Sequence, residues 1–125
     1  MATIFELQNP PFGQLTKTKV IKTENGAHTL TTAEIIEGIV DGTPTGNRTI
    51  TTPTAAEIIS ALGTQSGVGQ CFELTIVNKA ASTHKFTLTA GSGVTIVGEP
   101  DVTADSYGTF IFRVSSSTAV SAFRK

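Results

Sequence analysis

Cysteine, tryptophan, histidine and charge are all scarce in this 125-residue chain, and each shortage closes off a class of protein. Cys71 is the single cysteine, so no disulfide can form within the chain, which fits a reducing folding compartment. Charged residues make up only 15% and the net charge is -1, against about 25% charged in ordinary globular proteins. General nucleic-acid binding needs many phosphate-neutralising cations. Here they are few and scattered, with Lys17, Lys19 and Lys22 near the start and Arg113, Arg124 and Lys125 near the end. No apolar run approaches the roughly 20 residues of a membrane-spanning helix. The opening Met-Ala-Thr-Ile-Phe-Glu has neither a basic stretch nor an apolar core, so no secretory signal is expected. The Asn47-Arg48-Thr49 sequon is then accidental.

Catalytic chemistry is equally short of material. A nucleophile or an acid–base pair must be poised by its neighbours, and the chain holds two histidines and one cysteine. Cys71 with His84 is the candidate thiol–imidazole combination, and Cys71 falls in an alternating run where a small filler fits. His28 flanks a turn. Asp101 and Asp105 place two carboxylates on one loop, but calcium takes six to eight oxygen ligands, so loop capping is the simpler role. Gly63, Gly67 and Gly69 lack the Lys-Ser/Thr of a phosphate-binding loop and follow a helix rather than a strand. No enzyme activity, cofactor or metal is expected. Tyr107, Phe110, Phe112 and Phe123 could form a ligand-stacking surface, although at strand spacing such residues serve a core.

What the chain does have is hydrophobic content of 38%, with abundant Thr, Gly and Ser. That suits a single domain able to bury roughly two-thirds of its surface, and β-branched residues fit a pleated sheet. The chain is organised around residues 48–62. A short strand runs to Pro53, then Thr54 and Glu57 form a capping box. Ile58, Ile59 and Leu62 supply an apolar stripe, and Gly63 is expected to end the helix in the left-handed αL conformation. A shorter copy precedes it. Thr31 and Glu34 cap one turn, Ile35, Ile36 and Ile39 pack on a sheet, and Gly38 is expected just past the helix end. The tetrapeptide Ala-Glu-Ile-Ile is identical in both copies.

The remaining segments read as strands. Residues 2–8 alternate and are cut off by Pro10-Pro11. This segment is either an arm, docking on its own domain or on a neighbouring subunit, or an ordinary first strand. Residues 1–16 are assigned to the arm and 17–125 to one domain. Residues 18–23 form a strand, and Asn25-Gly26 predicts a type I′ hairpin returning at His28. Residues 41–47 are a turn-rich loop. Downstream, Phe72, Leu74 and Ile76 point inward along one strand, Phe86 and Leu88 along the next, and Phe110, Phe112 and Val114 along a third. Shorter strands are expected at 94–98 and 118–124, with residues 99–107 as a loop. Strands recurring every 8–12 residues or so indicate a mainly β fold, an antiparallel β-sandwich or jelly-roll-like barrel with two short helices. Val97, Ile111 and Ala119 lie on the opposite face from Phe110 and Phe112, and apolar residues on both faces call for a second burial surface, as in an oligomer. The packing and oligomer residues are thus Ile35, Ile36, Ile58, Ile59, Leu62, Val97 and Ile111.

Residues 30–39, Pro44-Thr45, Arg48-Thr49 and 52–62, continued by 68–78, 87–98 and 108–113, resemble small proteins and domains of tailed phages and large DNA viruses. The resemblance covers roughly residues 28–124. It implies a virion-associated β-sandwich module of the capsid-decoration, minor-capsid or fibre-head kind, commonly trimeric, with no catalytic residues to carry over. The expectation is a non-enzymatic virion structural protein, a homotrimer touching other capsid proteins, without nucleic acid or membrane as partner. The alternative is a receptor- or carbohydrate-binding head that uses loops 41–47 and 99–107, where Tyr107 is the available aromatic.

Overall fold

Among the described residues, successive strands of this protein pair with each other only once. The computed structural model describes residues 20–23, 25–36 and 38–125. The expected arm, residues 1–16, lies outside them. The described elements are β1 (Val20–Thr23), β2 (His28–Thr29), α1 (Thr32–Ile35), β3 (Gly38–Gly42), β4 (Arg48–Thr51), α2 (Ala55–Leu62), β5 (Cys71–Asn78), β6 (Phe86–Thr89), β7 (Val94–Val97), β8 (Asp101–Val102), β9 (Ser106–Val114) and β10 (Val120–Arg124). They form a six-stranded sheet in the order β1-β3-β5-β9-β10-β7 and a four-stranded sheet in the order β2-β4-β6-β8.

From β1 to β8 the chain changes sheet at every step. Along β1-β3-β5 and β2-β4-β6-β8, neighbours within a sheet are therefore two strands apart in sequence. β1, β3 and β5 run parallel in one sheet, as do β2, β4 and β6 in the other. β9 then lies antiparallel to β5 along its whole length, and β10 antiparallel to β9 and parallel to β7. Among the described residues, β9 and β10 are the one pair of consecutive strands that share a ladder.

These pairings correct three expectations. The fold is mainly β with two helices, but both sheets are mixed rather than antiparallel. Among the described residues each sheet has two open edges, and the fold is not a closed barrel. Asn25-Gly26 is not a hairpin tip, because β1 and β2 belong to different sheets. It is a corner between sheets, where the Asn25 Oδ1 accepts from the Thr43 N–H at 2.8 Å. Residues 99–107, expected as a loop, contain β8 and the start of β9.

The repeated sequence is one wind of this path. β2–α1–β3 and β4–α2–β5 each carry the chain from the four-stranded to the six-stranded sheet, and β2 lies beside β4 with Thr29 opposite Thr51. Both capping boxes are present. Thr31 Oγ1 accepts from the Glu34 N–H at 3.3 Å, and Glu34 Oε1 accepts from the Thr31 N–H at 2.9 Å. Thr54 and Glu57 repeat the exchange at 3.1 and 2.9 Å. The two helices end differently from the expectation. Gly38 does not cap α1; it opens β3, where an added Cβ would lie 1.7 Å from the Glu34 carbonyl oxygen. Gly63 is the residue after α2, but at φ 59° and ψ -123° it has left the αL region. A 3₁₀ turn, Gly63–Gln65, follows.

One hydrophobic cluster joins the two sheets. Val40, Phe72, Leu74, Ile76, Phe110, Phe112 and Ala122 enter it from the six-stranded sheet, and Ile50, Phe86, Leu88 and Val102 from the four-stranded sheet. Phe72 and Phe112 stack at 5.0 Å between ring centroids. Each such side chain, fully buried, contributes about 1.5–3 kcal/mol. Ile35 and Ile58 bring the helices onto the same cluster. The inward-pointing rows expected on β5, β6 and β9 are the buried rows observed.

Candidate functional site

The polar side chains that could carry chemistry are bonded into the fold. His28 Nε2 lies 3.1 Å from Glu34 Oε1, the same oxygen that takes the Thr31 N–H. Asp101 sits in β8, where Lys85 Nζ donates to Oδ2 at 2.6 Å and Thr87 Oγ1 to Oδ1 at 2.7 Å. The hydrogen bond from Lys85, with that from Thr87, holds the Asp101 carboxyl below the usual carboxylate range. The same bond to Asp101 raises the Lys85 ammonium above the ordinary lysine value. Asp101 is therefore a fixed anion at neutral pH, placed to hold β6 against β8. Its expected loop partner Asp105 stands in a turn with φ 55°. Among the described residues, no three His, Cys, Asp or Glu side chains gather as metal ligands would.

Cys71 and His84 are kept apart. Cys71 opens β5 and is exposed, whereas the His84 carbonyl is bound by Asn78 at the far end of the same strand. Seven residues of strand separate the two ends, roughly 23 Å.

A groove of about 680 Å³ lies between residues 29–32 and the exposed side of α2, where Pro53, Ala56, Glu57, Ser60 and Ala61 line it. Its walls are hydroxyls and small side chains, and its one carboxylate, Glu57, is engaged in the α2 cap. The Ile-Ile pairs do not face it openly. Ile35 and Ile58 are fully buried, while Ile36, Ile59 and Leu62 are half-buried against the core. These five residues serve packing of the helices on the sheets.

Val97 and Ile111 belong to a different surface, the outer face of the six-stranded sheet. The ladders align Glu73, Ile111, Phe123 and Val97 as one row across β5, β9, β10 and β7. A second row aligns Asp41, Val77 and Tyr107. Phe123 is 39% exposed, Val97 46% and Tyr107 70%. Phe110 and Phe112 are core, as expected from strand spacing, but Tyr107 and Phe123 are not. The placement of Tyr107 was within reach of sequence parity with Ile111. That of Phe123 was not, since it depends on which strand lies beside β9. Two ion pairs cancel charge on and around this face, Lys125 Nζ to Glu73 at 3.5 Å and Lys79 Nζ to Asp41 at 3.1 Å.

No family model, curated protein or solved structure matches the chain. The class rests on its own geometry, a mainly β chain of two mixed sheets and two helices.

Proposed function

We propose that this chain is a non-enzymatic virion structural protein, a β-sandwich module that assembles as a homotrimer and contacts other capsid proteins. The observation that carries the reading is the disposition of side chains. Asp101, Lys85, Glu34, His28 and Glu57 are bonded into the fold, while Phe123, Val97 and Tyr107 stand exposed on one open sheet face. A surface poor in unpaired charge is cheap to desolvate, which suits permanent contact with other proteins. The virion setting rests on the sequence resemblance. The sandwich reading draws on the single core shared by the two sheets, and the parallel ladders argue against a jelly roll, which is built of antiparallel Greek keys. Closed cyclic symmetry is the usual arrangement for such modules.

Light scattering on the purified protein tests the assembly. A mass three times the 13.0 kDa of one chain is expected, and a monomer at micromolar concentration overturns it. Mass spectrometry of purified particles tests the setting, with copy number matching a capsid lattice for a decoration role.

A second reading, a receptor- or carbohydrate-binding head, is favoured by one observation: Tyr107 is 70% exposed at the end of the 99–107 segment. A glycan array probed with the trimer and giving no hits overturns its carbohydrate form.

A further inference from the structure

We infer that the outer face of the six-stranded sheet, centred on Phe123, is buried against a second copy of this chain. The inference rests on the assembly reading above and names the surface that performs it. Of the four large hydrophobic residues exposed among those described, Val97, Tyr107 and Phe123 fall on this face, and Val68 lies on a loop apart from it. Ile111 sits between Glu73 and Phe123 in the same row. The inner face of the sheet is filled by the core, whereas Val97, Tyr107 and Phe123 stay exposed on the outer one.

The size is sufficient. Six strands at ~4.8 Å spacing and about six residues at ~3.3 Å give a face on the order of 29 by 20 Å. A neighbouring copy that covers one such face buries roughly 600 Å² on each partner, about 1,200 Å² in all, above the ~1,000 Å² expected of a specific interface. The charge argues for a like partner. Glu73 is matched by Lys125 and Asp41 by Lys79 within one chain. Arg113, exposed in the row of Cys71, is the charge left over on these rows, so the face offers little single-sign field for an oppositely charged protein and repels its own copy little. Phe123 is the anchor, since aromatic side chains at the centre of an interface carry much of the binding energy.

The test combines light scattering with circular dichroism on full-length protein. Phe123→Glu is expected to remain folded and to weaken association by about 30-fold or more, the effect of losing one hot-spot residue. Ser60→Glu, on the exposed side of α2, is expected to leave association unchanged. If the wild type associates and Phe123→Glu associates equally well, the face is wrong while the assembly reading stands. If Ser60→Glu dissociates the protein instead, the groove beside α2 is the interface and the inference falls. A wild type that is monomeric throughout overturns both. Cys71, exposed in the row next to that of Phe123, gives a measurement on the unmutated chain. Its alkylation is expected to slow several-fold as concentration rises into the associated range. An unchanged rate, with Phe123→Glu unable to fold, also overturns the inference.

Discussion

Asn78 in the six-stranded sheet donates from Nδ2 to the carbonyl of Val102 in the four-stranded sheet, at 2.9 Å, with both residues buried. The same amide donates to the His84 carbonyl at 2.9 Å, and its Oδ1 accepts from the Ala80 N–H at 2.9 Å. One side chain thus fastens the two sheets and the turn between β5 and β6. Asn78→Leu leaves the Ala80 N–H and two carbonyls without that partner. Each buried group stripped of its bond costs about 1–3 kcal/mol, so the loss of stability is expected at ~3 kcal/mol or more, read from urea denaturation. Asn78→Asp tests the donor role separately. A carboxylate aimed at two carbonyls is repelled, so this variant is expected to gain stability relative to wild type as pH falls and the carboxyl becomes a donor. A pH-independent difference would overturn that reading.

The Lys85–Asp101 contact makes stability depend on pH at both extremes. Asp101 has its folded pKa lowered by the hydrogen bonds from Lys85 and Thr87. Its contribution is complete above the unfolded value of about 4 and disappears as pH falls through the lower folded value. Lys85 has its pKa raised by the same contact. Its contribution is complete below about 10.4, the ordinary lysine value, and is lost as pH rises through the folded one. The difference in melting temperature between wild type and Asp101→Asn is therefore expected to be level across neutral pH. It should shrink below about pH 4. A difference that persists unchanged into acid would show that the ion pair is not its source.

How much of this was legible in the sequence follows from the range over which each interaction acts. The capping boxes were legible because Thr54 and Glu57 are three residues apart and need nothing beyond their own helix turn. The inward rows at Phe72, Leu74 and Ile76 were legible because burial on one face imposes period two. The ladders were not. Asn-Gly at 25–26 carries the local signal of a hairpin, yet partner choice was decided by a path that alternates between two sheets. Gly38 was misread for the same reason: its lack of a side chain is demanded by the Glu34 carbonyl in space, not by helix termination. On the candidate surface, Val97 and Ile111 follow from face parity, whereas their neighbour Phe123 needs the β9–β10–β7 register.

The central stretch separates packing from capping. Ile58 is fully buried in the shared core, and Ile58→Asp is expected to abolish folding, since an unpaired carboxylate cannot be accommodated there. Thr54→Ala removes the oxygen that accepts the Glu57 N–H and is expected to cost about 1 kcal/mol. Glu57→Gln retains an oxygen to accept from the Thr54 N–H, so it is expected to cost little, within about 0.5 kcal/mol on thermal denaturation. A large loss in Glu57→Gln would mean that the carboxylate has a role beyond the cap.

Arg124 and Gly108 are expected to act as one unit. Arg124 Nη1 donates to the Glu99 carbonyl at 2.9 Å and the Asp101 carbonyl at 2.7 Å, and its guanidinium lies 5.4 Å from the Phe110 ring centroid. It therefore ties β10 of one sheet to β8 of the other. Gly108 makes room for it, because a Cβ there would come within 2.8 Å of the guanidinium carbon. Arg124→Ala is expected to cost about 1–3 kcal/mol through the lost carbonyl bonds and the ring contact. Gly108→Ala should displace the guanidinium and lose the same bonds, since the far end of a long side chain yields more easily than the strand. In the double variant the second change should then add almost nothing, a coupling that denaturation of all four proteins reads directly. Costs that simply add would show that Gly108 serves the β9 backbone and that Arg124 is held by other means.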